Sequence, residues 1–226
     1  MQYLGGKQRI ATKVIEHLNQ HKHLETLYEP FVGGCNIGIN TDFKYIHCSD
    51  IHPDLILMWQ ALQKGWIPPN EYSNLEYDQL KSKESSALRG FIGFGASFSG
   101  KWFGGYARNA RGYNYVKNAA SSIKKKINNK FYEATFQCLD FIETEWNVKG
   151  ACFYLDPPYE GTTKYSNKFN HFLFWNKVRD LSINNIVIIS EYSAPADFEC
   201  VLEIPTKTNM QAGNNLRIEK LFQLKN

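Results

Sequence analysis

The chain is predicted to fold as an α/β protein: a mostly parallel sheet whose ligands bind at the strands' carboxyl ends. Three observations predict it. Short apolar runs alternate with stretches of helical periodicity along most of the sequence. Several of those runs end on an acid or a glycine pair, the residues that line such a sheet's crevice. The length of 226 residues, with 43% apolar and 21% charged side chains, suits one compact domain with a sizeable core.

In chain order, Ile10, Val14, Ile15 and Leu18 fall at helical spacing and predict an amphipathic helix over Lys7 to Gln20. Leu24 to Tyr28 reads as a strand that runs into Glu29-Pro30-Phe31-Val32-Gly33-Gly34, and Tyr45 to Ser49 as a second strand ending on Asp50. Pro53 opens a helix over Asp54 to Lys64, because proline at a first helical position gives up an N–H that has no partner there anyway. Pro68-Pro69 breaks the chain before a helix over Ser73 to Lys83, and Asn114 to Asn129 reads as another helix. Phe131 to Gln137 and Ala151 to Leu155 are strands, the second ending on Asp156. Phe169 to Leu181 is a helix, and Ile186 to Ser190 has the continuous apolar character of a buried parallel strand. Cys200 to Ile204 and Ile218 to Leu224 complete the set as an edge hairpin. Residues 65–130 interrupt the alternation and read as an insertion between a first part, 1–64, and a second, 131–226.

Several classes are excluded. No apolar run approaches the roughly 20 residues of a membrane helix, and Met1 to Ile10 lacks a signal peptide's apolar stretch. The five cysteines form no CxxC pair, which argues against a zinc ribbon or a disulfide framework and for a reduced, cytoplasmic setting. His17, His21 and His23 read as a polar helix end, so no metal is expected. No GxxxxGK[ST] phosphate loop is present.

The net charge of +4 conceals a split. Between Arg89 and Lys130 there are nine basic residues and no acid, leaving 17 basic and 22 acidic side chains elsewhere, a balance of −5. Phe91, Phe94, Phe98, Trp102, Phe103, Tyr106, Tyr113 and Tyr115 are interleaved with that positive charge. Cations neutralise phosphates and flat rings stack on bases, so the segment suits a nucleic acid; Trp102, Phe103 and Tyr106 read either as a wedge between bases or as the insertion's own core. Arg89, Lys101, Arg108 and Arg111 are the candidate contacts.

At the strand ends, Gly33-Gly34 permits a tight turn with close backbone approach, and Asp50 supplies an acceptor for ribose hydroxyls. Asp156-Pro157-Pro158-Tyr159 is more informative. Two prolines remove two N–H donors and leave carbonyls; the aspartate adds a carboxylate and the tyrosine a stacking face. The four residues make an acceptor-rich pocket suited to a planar group with an amino substituent.

Four segments in order resemble the DNA adenine-N6 methyltransferases of the Dam-like D12 class: Tyr3-Leu4-Gly5-Gly6-Lys7, the Glu29 to Asn36 loop, Ser49 to Ile56, and Asp156-Pro157-Pro158-Tyr159. His52 stands where that family more usually has Asn, Arg217 to Phe222 is similar to its closing strand, and Ser190 to Pro195 is similar to phage-encoded members. The resemblance implies a Rossmann-like, S-adenosylmethionine-dependent sheet with a small target-recognition insertion, acting on DNA as a monomer in a bacterial or phage-infected cell. It implies catalysis by Asp156, Pro157, Pro158 and Tyr159, and cofactor contacts from Tyr3, Lys7, Phe31, Gly33, Asp50 and Asp156, with Asp140 on the cofactor's adenine side. The reaction implied is methyl transfer to adenine N6 after base flipping, with GATC the first target to try and restriction–modification or phage self-protection as settings. A methyltransferase acting on cytosine N4, RNA or a protein amide is the alternative, since related motifs place Asn or Ser before PPY; a catalytically silent DNA-binding module is another.

Overall fold

The computed structural model describes residues 1–109, 112–161, 169–207 and 216–225. Among the described residues seven strands form one sheet: β1 (Thr26–Glu29), β2 (Tyr45–Asp50), β3 (Thr135–Cys138), β4 (Cys152–Leu155), β5 (Ile186–Glu191), β6 (Phe198–Lys207) and β7 (Leu216–Leu224), in the spatial order β3-β2-β1-β4-β5-β7-β6. The first five are parallel; β7 is antiparallel to both β5 and β6. Strand order reverses between β1 and β4, so the crevice at their carboxyl ends is the topological switch point of a Rossmann-like sheet.

Side-chain alternation divides the core in two. Cys152 and Tyr154 of β4 face one cluster with Trp59 and Phe91, while Phe153 and Leu155 face another with Phe174 and Val178. Helices α1 (Ala11–Leu18), α2 (Pro53–Gln63), α3 (Asn74–Leu80), α4 (Ala87–Gly95), α5 (Tyr115–Lys126) and α6 (Asn129–Glu133) precede β3, and α7 (His171–Ser182) covers the second cluster. Fully buried rings such as Trp59, Tyr77 and Phe91 each contribute about 1.5–3 kcal/mol of transfer free energy.

Three sequence expectations need correction. The first helix is broken: Lys7–Arg9 is a 3-10 turn, α1 follows, and Asn19–Leu24 is a second 3-10 turn that delays β1 to Thr26. The helix expected to run to Asn129 stops at Lys126, where Ile127 turns extended (φ −65°, ψ 118°). Asn128 then caps a new helix, its Oδ1 accepting from Phe131 N at 2.9 Å, so Phe131–Glu133 is helical where a strand was expected and β3 starts at Thr135.

The larger omission is α4, which the glycine-rich Arg89–Gly95 stretch disguised. Ser86 caps it, its Oγ accepting from Arg89 N at 3.2 Å. Its glycines serve close packing, not flexibility: a Cβ at Gly90 would lie 2.1 Å from the Asp54 carbonyl oxygen on α2. The segment expected to stand as an insertion therefore sends a helix into the same apolar cluster as α2.

Gly90→Ala is expected to destabilise the fold by about 1–3 kcal/mol, because α4 must move off α2. The check is urea denaturation; an unchanged midpoint would remove the close-packing role.

Candidate active site

The β1–β4 switch point gathers the four sequence motifs. Strand β4 ends at Leu155 and delivers Asp156 into the crevice, where its Oδ1 lies 2.9 Å from Lys7 Nζ. Lys7 reaches it from the 3-10 turn at the N-terminus and is itself only 9% exposed. Its ammonium also sits 3.8 Å from Glu219 Oε2 and 4.3 Å from the centroid of the Tyr159 ring. The Tyr159 hydroxyl donates to Glu219 Oε2 at 2.9 Å, and Tyr192 donates to Glu219 Oε1 at 3.1 Å. The two tyrosine rings meet edge to face at 4.6 Å. The exposed Arg217 guanidinium lies over Tyr192 at 4.5 Å.

The N-terminal segment is held by shape. Gly33 has φ +42°, and a Cβ there would lie 2.6 Å from the Tyr3 ring, so a side chain is excluded where Tyr3 lies across the glycine pair. On its other side a Cβ at Gly100 would lie 2.6 Å from Tyr3 N, and Leu4 N donates to Gly100 O at 3.1 Å. Tyr3 is thus clamped between the loop after β1 and the turn after α4.

Asp50 ends β2 and receives two backbone amides, Gly33 N on Oδ2 and His52 N on Oδ1, both at 3.0 Å. Burial pushes its carboxyl up to about 6 despite those donors. Glu29 is buried at the end of β1; Oε2 accepts from Gly38 N at 2.9 Å, and burial pushes the carboxyl up to about 8. Glu191, at the end of β5, accepts from Tyr192 N and Glu160 N and is pushed up to about 7, again by burial first. Asp156 is likewise raised by burial, with Lys7 opposing the rise.

Phe31 is half-buried against Phe141 (5.3 Å), Phe169 and Phe174. Asp140 caps a turn, Oδ1 accepting from Ile142 N at 2.7 Å and Glu143 N at 3.2 Å. Pro157 is buried beside Asp156 and Pro158 is exposed.

The candidate DNA contacts separate. Lys101 and Arg108 are exposed, and Arg111 lies outside the described residues. Arg89 is turned inward: its Nη1 is 2.6 Å from Asp54 Oδ2, its Nη2 donates to Lys81 O, and its guanidinium lies over Trp102 at 5.1 Å. Lys126 of the lysine run is also turned in, donating to Gly34 O and to Asn36 Oδ1, while Lys124 and Lys125 face solvent. Trp102, Phe103 and Tyr106 pack against the core, whereas Phe98, on the turn clamping Tyr3, is 67% exposed.

Sequence reasoning missed Glu219, Tyr192, Glu191 and the burial of Glu29. For Glu219 a signal existed: in β7 it shares a face with the buried Leu221, an acid where alternation calls for an apolar residue.

The residues at the crevice fit S-adenosylmethionine. Asp50 retains acceptor capacity for hydroxyl groups, Phe31 and Phe141 offer an apolar wall, and buried carboxylates outnumber the cations Lys7 and Lys126, which suits a positively charged ligand. Among the described residues no group of His, Cys, Asp or Glu is placed to hold a metal, and no helix is long and apolar enough to cross a membrane.

A DNA adenine methylase of Vibrio cholerae is 27% identical over 190 residues, covering 74% of this chain and 67% of that protein. The retron Ec67 DNA adenine methylase of Escherichia coli is 28% identical over 185 residues, covering 72% and 64% respectively. The sequence profile of the D12 class N6 adenine-specific DNA methyltransferases matches residues 3–88 and 96–180, which take in Tyr3, Lys7, Asp50 and Asp156. With more than half its length matched, the chain belongs to that family, and it is an adenine-specific DNA methyltransferase.

Proposed function

We propose that the protein transfers a methyl group from S-adenosylmethionine to the N6 amino group of an adenine rotated out of DNA, with GATC the first sequence to test. The observation that carries this reading is the Asp156 carboxylate at the switch point, paired with a buried lysine and followed by two prolines and a tyrosine. Bound, S-adenosylmethionine supplies a methyl group made electrophilic by its sulfonium.

The adenine amino nitrogen is a poor nucleophile because its lone pair is delocalised into the ring. Asp156 and the Pro157 carbonyl accept hydrogen bonds from the two amino N–H groups, which draws the nitrogen toward tetrahedral geometry and localises the lone pair. As the N–CH3 bond forms the S–CH3 bond breaks, and the nitrogen then gives up one proton to Asp156 or water. Lys7 keeps Asp156 charged in a site whose burial favours the neutral acid. Tyr159 supplies a flat wall for the base, while Asp50 binds ribose hydroxyls. Acceleration comes mainly from orienting two bound reactants and from fixed charges placed where charge develops.

Lys101 and Arg108 grip phosphates, while Arg89, paired with Asp54 and lying over the Trp102 and Phe103 rings, ties the segment to α2. Phe98 fills the gap left by the flipped adenine: it is exposed, its turn carries Ser99 at φ 54° and Gly100 at φ +67°, and Gly100 touches the segment that delivers Lys7.

The direct test is incorporation of labelled methyl groups into duplex DNA, with modified-base sequencing to locate them. Asp156→Asn should lower kcat on the order of 10²–10³-fold while DNA affinity is kept; full activity in that variant would remove its assigned role.

Asp50 gives a pH prediction. A carboxyl raised to about 6 is protonated below that value and loses acceptor capacity, so the Kd for S-adenosylmethionine should be flat above pH 7. Below pH 6 it should weaken by up to about tenfold per unit. Calorimetry from pH 5 to 8 reads this, and a flat profile would count against the ribose contact.

Phe98→Ala should reduce turnover on paired adenine by about tenfold and recover on a mismatched adenine, whose extrusion costs less. Equal loss on both substrates would show that Phe98 does not act in extrusion.

A further inference from the structure

The site contains a carboxylate with no part in the reaction as drawn. Glu219 lies near the start of β7, just beyond the level at which Glu191 pairs with Lys220. Its two oxygens receive two different phenols, Tyr159 from the loop after β4 and Tyr192 from the loop after β5. One of those oxygens also lies 3.8 Å from Lys7, the cation already paired with Asp156. A side chain that is only 15% exposed thus meets three partners from three separate parts of the chain.

Such an arrangement is costly unless it serves something. A buried anion beside another carboxylate raises the free energy of both, and a glutamine could accept one of the two phenols without that penalty. The charge is useful because Lys7 has two anions to satisfy. Held by Glu219 on one side, the ammonium lies over the Tyr159 ring and meets Asp156 at Oδ1, while the Tyr159 hydroxyl also favours the charged form of that carboxylate. Accepting from both hydroxyls fixes the edge-to-face pair, and with it the plane of Tyr159.

We propose that Glu219 is the positioning residue of this site: it sets the Tyr159 ring plane and divides Lys7 between two carboxylates, so that Asp156 faces the adenine amino group with its acceptor oxygens aligned. The inference rests on the reading of Asp156 as the acceptor for that group. Glu219 acts through Lys7 and the tyrosines.

The groups facing Asp156 fix the sign of the pH effect. They are Lys7 from the N-terminal turn, Glu29 from β1, Tyr154 from β4, Tyr159 from the loop after it, Glu191 from β5 and Glu219 from β7. Around Glu219 itself stand Lys7, Tyr154, Tyr159, Tyr192 and Arg217. Glu219 is a like charge that raises Asp156, whereas Lys7 lowers it. Removing the Glu219 charge also releases Lys7 wholly to Asp156, so both changes lower the pH at which Asp156 ionises.

Two variants and two readouts test this. Glu219→Gln should cut kcat by roughly 10- to 100-fold through a misplaced Tyr159, with the KM values for cofactor and DNA changed far less. The acid limb of its kcat–pH profile should nevertheless move to lower pH. Glu219→Asp keeps the charge and loses the reach, so kcat should fall with the acid limb in place. The same displacement should appear without turnover, as a lower Asp156 midpoint in a carbon-detected NMR titration of the ligand-free Glu219→Gln protein. A merely structural glutamate would lower stability and kcat and leave the midpoint where it was. An unmoved or raised Asp156 midpoint in Glu219→Gln, or undiminished kcat, would overturn the proposal. Should the wild-type protein fail to methylate DNA, the functional reading falls while the NMR titration still decides whether Glu219 governs Asp156.

Discussion

The Lys7–Asp156 ion pair is the contact on which the site depends. It joins the N-terminal turn to the end of β4, two pieces of chain about 150 residues apart, at the point where the strand order reverses. A buried pair contributes little net stability, because both charges lose their water. Removing one member is another matter, since the other is left charged and unpaired in a site already rich in acids. The pair therefore acts as a constraint: the crevice is correctly built only when the N-terminal segment lies across it. Gly33 and Gly100 make that possible by leaving room on both sides of Tyr3.

This constraint ties the basic region to the scaffold. The turn that clamps Tyr3 belongs to the segment carrying Lys101 and Arg108, and α4 at its head is locked to α2 through Gly90 and the Arg89–Asp54 pair. The His52 ring, next to Asp50, lies against Trp102 at 4.1 Å and Phe94 at 5.1 Å. The residues packed beside Asp50 and the floor of the basic segment therefore belong to the same aromatic group. A shift of one moves the other, because close-packed rings have little slack.

Much of this was legible in the sequence. The alternation of apolar runs and helical periods located every strand to within a few residues, since burial imposes period two or continuous apolarity on strands whatever the tertiary context. Strand ends were legible too, because Asp50, Gly33 and Asp156 are residue types that apolar runs do not otherwise contain. The failures have specific causes. Helix α4 was hidden because three glycines lower helix propensity, and only the approach of Asp54 explains why one of them is required. The break at Ile127 was hidden because the Asn128 cap competes with a helix that local pattern alone would continue. Arg89 read as a free cation because its partner, Asp54, is 35 positions away and sits in a motif that suggested other work.

The same non-locality explains the carboxylates. Five acids from five parts of the chain, Glu29, Asp50, Asp156, Glu191 and Glu219, converge where the strands end, and no local pattern announces the meeting. Their charge opposes that of the exposed basic segment, a division that suits the proposed reaction, in which a polyanion is attracted from outside and a cationic methyl donor accommodated within. Burial holds Asp50, Glu191 and Glu29 near 6, 7 and 8, so around neutrality part of the cluster is protonated and awaits a partner. A ligand that places positive charge beside Asp50 favours its ionised form, so by linkage affinity falls as that carboxyl takes up its proton. On the proposed reaction, such an excess of acids in the crevice favours a sulfonium over the neutral thioether left once the methyl group has gone.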